Sequence, residues 1–324
     1  MTAVPSSPAP SPLPTPSSPP SPLPPSSSPA SPQPSSRLSL NTATCRRLTL
    51  ADCVDLARAH GIGAIGPWRD RVRDVGVPQA ARMIHDAGLR VSTYCRGGFL
   101  TGADPAQIQA ALGDNRAAID EAAALGATEL VMVVGGLPSM FAGMGFAHTV
   151  VDDRDKDLVA ARQRVADRVG DLVPYARERG VRLALEPMHP LFTADRGVLA
   201  TLDQALDLAS DHAAAEVGVV VDAYHVWWDP GLRAAILRAG AQSRISSYQI
   251  SDWSLPLAPT ALNSRAMMGD GHIDLASITA WVAEAGYTGD VEVEIFNEEI
   301  WARPGDQTVA TMVDRYARLI EPCL

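Results

Sequence analysis

The sequence predicts a (β/α)8, or TIM, barrel as a single domain over residues 37–324, preceded by a tail of different character. Three observations carry that expectation. From Arg37 onward, short apolar runs alternate with longer segments of helical periodicity, the pattern of a repeated βα unit. The runs number eight, and each is followed by a helical segment. Four runs in the second half, LALEP, VVVDAYH, SSYQISDW and VEVEIF, carry Glu186, Asp222, Gln249 and Glu294 at or near their ends, side chains able to hold a metal. Parallel strands buried on both faces read as short apolar runs, and a carboxylate closing such a run is costly without a partner. The C-terminal strand ends of a barrel surround one cavity, so the four should meet there.

In chain order, Ser39 to Cys45 reads as the first strand and Leu50 to His60 as its helix. Ile62 to Ile65 gives strand two and Val77 to Ala87 its helix, stopped by Gly88 in the manner of a C-cap. Arg90 to Tyr94 is strand three, followed by an Ala-rich helix over Pro105 to Leu125. Strand four is Glu129 to Val134, with Gly135 and Gly136 opening a longer loop. Asp152 to Asp157 should be a solvated helix start leading to about Arg179, and Gly180 ends that helix before strand five, Val181 to Glu186. Leu199 to Ala209 is helix five, Val217 to Asp222 strand six, Leu232 to Arg238 helix six and Ile245 to Ile250 strand seven. Leu275 to Ala285, Val291 to Ile295 and Asp306 to Leu319 supply the last helix, strand and helix.

The first 36 residues lie outside the barrel. Fourteen of the 26 prolines fall before Arg37, mixed with serine and without a charged side chain. Such a segment buries too little apolar surface to offset its ordering entropy, which predicts a disordered, partly polyproline-II tail. It lacks the basic start and apolar run of a secretory signal. No stretch approaches the length of a membrane span. A net charge of -10 and a pI near 5.1, with no basic block, disfavour nucleic-acid binding. Cys45, Cys53, Cys95 and Cys323 are too few for a disulfide scaffold and lack zinc-knuckle pairing, so a reducing cytoplasm is expected. Cys45 and Cys95 stand at strand ends, either facing the cavity or packing as small apolar residues. Pairing into a homodimer through outer helices is compatible with such a barrel, and no stripe singles out a face for it.

Glu186, Asp222 and Glu294 offer hard carboxylate oxygens and Gln249 an amide oxygen. That set suits Mn²⁺, with Mg²⁺ or Co²⁺ as alternatives, better than Zn²⁺. His189 and His225 each lie three residues beyond one of these acids, where they could reach substrate hydroxyls or relay protons. His148 and His272 are weaker candidates. Arg265, in SRAMMGDGHID, could hold a substrate oxygen through its fork of donors, or simply pair with Asp252 or Asp270. Trp68, Trp227, Trp253 and Phe296 follow strand ends and could wall a sugar ring or pack beneath loops.

Glu186 in LALEPMHP, Asp222 and His225 in VDAYH, Arg265 with GDGHID, and Glu294 in GYTGDVEVEIFNE together resemble the sugar phosphate isomerase/epimerase family with the xylose-isomerase-like barrel. The likeness spans essentially residues 37 to 322. It implies that Glu186, Asp222 and Glu294 bind the metal, that the two glutamates act as an acid/base pair, and that His225 and Arg265 contact substrate oxygens. One position departs from the pattern: many members have a metal-binding histidine where this chain has Gln249, a residue also seen in related dehydratase branches. The activity implied is a divalent-metal-dependent isomerase or epimerase of a keto sugar or related polyol ketone, transferring a proton through a metal-stabilised enediolate. The alternatives are a lyase of the same fold, either a dehydratase or an enzyme cleaving a C-glycoside of an oxidised sugar, and a non-catalytic binding protein on an inactivated barrel. Retention of all three acids argues against the last.

Overall fold

The computed structural model describes residues 37–137 and 156–324. The tail, His148 and the start of the charged stretch from Asp152 lie outside the described residues. The chain enters through β1 (Leu38–Asn41) and a 3₁₀ turn at Thr42–Cys45, where the sequence suggested one longer strand. The Asn41 side chain caps that turn by accepting from the Ala43 N–H, which ends the extended run early. Then follow α1 (Leu50–Ala59), β2 (Ala64–Gly66), α2 (Arg69–Val75) and α3 (Val77–Asp86). A capping box between Thr49 and Asp52 starts α1. Helix α2, RDRVRDV, was not foreseen; it buries only Arg69 and Val72 and so lacks an apolar stripe.

Strand three is split into β3 (Arg90–Val91) and β4 (Tyr94–Gly98), the second extending past the expected end at Tyr94. The chain continues through α4 (Pro105–Leu125), β5 (Glu129–Val133), α5 (Leu158–Glu178), β6 (Arg182–Leu185) and α6 (Leu202–Ala209). Next are β7 (Val217–Asp222), the single turn α7 (Ala223–Val226), α8 (Leu232–Ala241) and β8 (Ile245–Ile250). A two-stranded hairpin, β9 (Asp252–Trp253) with β10 (Arg265–Ala266), decorates the next loop before α9 (Leu275–Glu284), β11 (Val291–Val293), α10 (Glu298–Trp301) and α11 (Gly305–Leu319).

All barrel pairings are parallel, in the order β3-β2-β1-β11-β8-β7-β6-β5-β4. Trp68, just beyond β2, bridges to Cys95 of β4 and joins the two ends. The outer strand faces and the helices form one large apolar core. Inside the cylinder a small separate layer of Cys95, Val131, Ala184 and Val220 packs beneath Trp68. A polar layer built around Glu292 completes the filling. Gly66 makes room for it: a Cβ there would stand 2.6 Å from the Glu292 carboxylate. Among the described residues no helix is long and apolar enough to cross a membrane.

Candidate active site

Glu186, Asp222, Gln249 and Glu294 stand at one end of the barrel because four neighbouring strands, β6, β7, β8 and β11, carry them at or just past their C-terminal ends. Asp222 is in register with Gln249, and Gln249 with Glu292 one layer below Glu294. The period of two along β11 turns both Glu292 and Glu294 inward. Glu186, Asp222 and Glu294 are no more than 4% exposed, and Gln249 is fully buried.

Glu186, Asp222 and His225 each bring a donor atom within 4.8 Å of the others. The sequence Asp-Ala-Tyr-His explains the last contact. Asp222 caps α7 by accepting from the Tyr224 N–H at 2.9 Å, and one helical turn carries His225 back over it. Glu294 joins through Arg265, whose Nη2 donates to Asp222 Oδ2 at 2.7 Å and lies 3.3 Å from Glu294 Oε2. Trp68 Nε1 fixes the other Glu294 oxygen at 3.1 Å. Arg265 is buried with its guanidinium over the Tyr224 ring, 4.5 Å from the centroid. The alternative partners proposed for it are otherwise engaged. Asp252 accepts the Trp253, Gly269 and Ile273 amides, and Asp270 pairs with Arg315.

Burial dominates the electrostatics. It pushes the Glu186 carboxyl well above the usual range, reinforced by Asp222 and Glu294, and it raises Glu294 to about 7 against the restraining charge of Arg265. Glu186 makes no side-chain hydrogen bond among the described residues and faces the cavity, 4.0 Å from His225 Nε2. Burial, aided by Arg265, drives His225 far below its ordinary value, so the ring is neutral. Both its nitrogens face N–H donors: Arg265 Nη2 at Nε2, 3.0 Å away, and the His189 amide at Nδ1, 3.3 Å away. A neutral ring accepts at one nitrogen only, so it satisfies one of these two donors.

Gln249 supplies the test of whether a cation fits. Its Nε2 donates to Glu292 Oε1 at 3.1 Å, while its buried Oε1 has no hydrogen-bond partner. An orphaned buried oxygen costs free energy unless something positive meets it. Glu292, which the sequence reading did not single out, anchors this amide. It also accepts from Asn41 Nδ2 at 2.6 Å, Ser92 Oγ at 2.5 Å and Thr93 Oγ1 at 2.8 Å. Its signal in the sequence was the alternation in VEVEIF, which places two acids on one strand face.

A cavity opens beside these groups, lined by Trp68, Glu186, His225, Arg265, Glu294 and Phe296 among others, with Asp222 and Gln249 outside its lining. His189, Trp227 and Trp253 are not in its lining. They form an aromatic cluster behind it, with Trp253 stacked on Tyr224 and 4.7 Å from His189, and 5.6 Å from Trp227. His189 Nδ1 also accepts from the Leu191 N–H, capping a short 3₁₀ turn. His272 is exposed. Cys95 faces the cavity, and burial with the nearby glutamates raises its thiol pKa; Cys45 turns instead to Cys53. Two further cavity residues, Arg96 and Arg196, were not anticipated.

A family model described as a xylose isomerase-like TIM barrel matches residues 54–318. A crystal structure of a Sinorhizobium meliloti 1021 protein superposes with a TM-score of 0.80 at 43% identity, covering 88% of this chain and 98% of that one. An inosose isomerase of Bacillus velezensis is 28% identical over 148 residues, 45% of this chain and 51% of its own length. A 3-dehydroshikimate dehydratase of Pseudomonas aeruginosa is 30% identical over 160 residues, 48% of this chain and 24% of the dehydratase. The chain thus spans about half the length of the inosose isomerase and about a quarter of the dehydratase.

Proposed function

The chain belongs to the xylose isomerase-like TIM-barrel family, and from that premise we propose that it is an enzyme, a divalent-metal-dependent isomerase or epimerase of a keto sugar or related polyol ketone. One observation carries the reading. Two carboxyls, Glu186 and Glu294, stand at the ends of different strands and line the same cavity, where one could take a proton from a bound substrate and the other return it.

In this reading one glutamate removes the proton beside the substrate carbonyl and the other returns it. Return to the same carbon gives epimerisation, and return to the neighbouring carbon gives isomerisation. Arg265 holds a substrate oxygen, and neutral His225 accepts or donates a hydrogen bond without adding charge. Trp68 and Phe296 close the cavity wall. Glu186, Asp222, Gln249 and Glu294 offer an oxygen-rich set suited to Mn²⁺, with Mg²⁺ or Co²⁺ as alternatives. A cation held there would supply the Lewis acidity that makes the neighbouring C–H more acidic.

The test is to add Mn²⁺ to metal-stripped protein in deuterated water and follow exchange into a panel of keto sugars. Exchange should require the metal and fall about 10²-fold or more in Glu294→Gln. Exchange indifferent to both chelation and that substitution would remove the mechanism. A second reading, a lyase expelling a β-substituent from the same carbanion, is favoured by Gln249 in place of histidine. Release of water or an aglycone without an epimeric product would decide for it.

A further inference from the structure

Arg265 pairs with both Asp222 and Glu294 and lines the cavity. Two more guanidinium groups, Arg96 and Arg196, face the same space. Arg96 makes no ion pair among the described residues, and its guanidinium rests on aromatic rings, 4.1 Å from the Phe99 centroid and 6.0 Å from that of Trp68. Arg196 Nε lies 3.4 Å from Asp195 Oδ2, an ion pair without hydrogen-bond geometry.

The backbone is shaped to put Arg96 there. In the β4–β5 register Cys95 faces Val131 and Gly97 faces Met132, so Arg96 is the extra residue of a bulge. Bulges re-aim side chains beside active sites. Asn115 clamps the far side of this one, accepting from the Gly98 N–H at 2.6 Å and donating to its carbonyl at 2.8 Å. Arg69 donates to the Arg96 carbonyl at 3.4 Å. Arg196 is tied in from the opposite loop, where its carbonyl accepts from the Gly135 N–H at 2.9 Å. Burial, and next the charge of Arg196, lower the Arg96 pKa to about 10.

We infer that Arg96 and Arg196 form an anion-recognising end of the cavity, so that the substrate is a keto sugar or polyol ketone bearing a carboxylate or phosphate. The inference rests on the reading of this cavity as the substrate site. Guanidinium forks match either anion and bind it by charge-assisted hydrogen bonds.

Binding, measured apart from turnover, tests it. Mn²⁺-loaded full-length protein is titrated by calorimetry with D-fructose against D-fructose 6-phosphate, and with L-sorbose against 5-keto-D-gluconate, which is the same skeleton carrying a carboxylate. At least one anionic member should bind about tenfold or more tighter than its neutral partner. That preference should shrink by about tenfold in Arg96→Gln and in Arg196→Gln, and Arg96→Lys should restore part of it. A preference confined to one anion supports the inference and identifies the group. Equal affinity within each pair, no binding of either anionic member, or a preference unchanged in both glutamine variants overturns it. If anionic ketoses bind preferentially yet show no deuterium exchange, the proton-transfer reading fails and the anion site stands. Exchange without anionic preference gives the reverse.

Discussion

The amide of Gln249 has two ends with different neighbours, and its energetics follow from that asymmetry. Its N–H₂ end is pinned to Glu292, so the oxygen end is held where no donor among the described residues reaches it. Replacement by leucine keeps the bulk and removes the oxygen, leaving Glu292 short of one of its donors. Affinity for Mn²⁺ should then fall about 10- to 100-fold, a loss read from the electron paramagnetic resonance signal of the free ion during titration. The amide itself was legible in the sequence because it closes an apolar run, as were the three acids. Arg96 and Arg196 were not. A cation in CRGG or ADRG carries no signal of what it faces until a bulge and a loop contact fix its direction.

At the level of elements, the third strand shows how local geometry escapes a pattern of hydrophobicity. The run from Arg90 to Tyr94 marked a strand correctly, but the break into β3 and β4 and the bulge at Arg96 depend on contacts with α4 and β5 that periodicity does not record. Helix α2 was missed for a related reason, being polar along most of its length. Helices with a buried stripe or a strong cap, such as α1 and α4, were placed to within about a residue. The bulge also makes a demand on glycine. Gly98 has φ +113°, and a Cβ there would come within 1.8 Å of the Val133 carbonyl oxygen. Gly98→Ala should cost about 2 to 4 kcal/mol, seen as a lowered denaturant midpoint with little change in slope.

Over the whole molecule, the barrel was legible because eight apolar runs alternate with helical segments, and its chemistry gathers at one rim. The opposite rim carries a different titrating group. Glu129 opens β5, its Oε2 is buried without a hydrogen-bond partner, and burial raises its pKa from 4.5 to about 7 despite Arg182 nearby. The folded form therefore keeps this proton over a range in which the unfolded chain has released it. Stability falls as pH rises from 4.5 to about 7 and levels off above that. Glu129→Gln abolishes the titration, so the unfolding free energies of variant and wild type should diverge in the variant's favour between about pH 5 and about pH 8, by at most about 3 kcal/mol, seen as a growing gap between their melting temperatures. An offset that does not change with pH would count against this account. The bulge in β4 has a broader consequence. It lies outside the run of four strands that presents the acids and the amide, so the Arg96 share of ligand choice and the proton chemistry are inherited from separate stretches of chain. A lineage, or a designer, can rewrite one while leaving the other untouched.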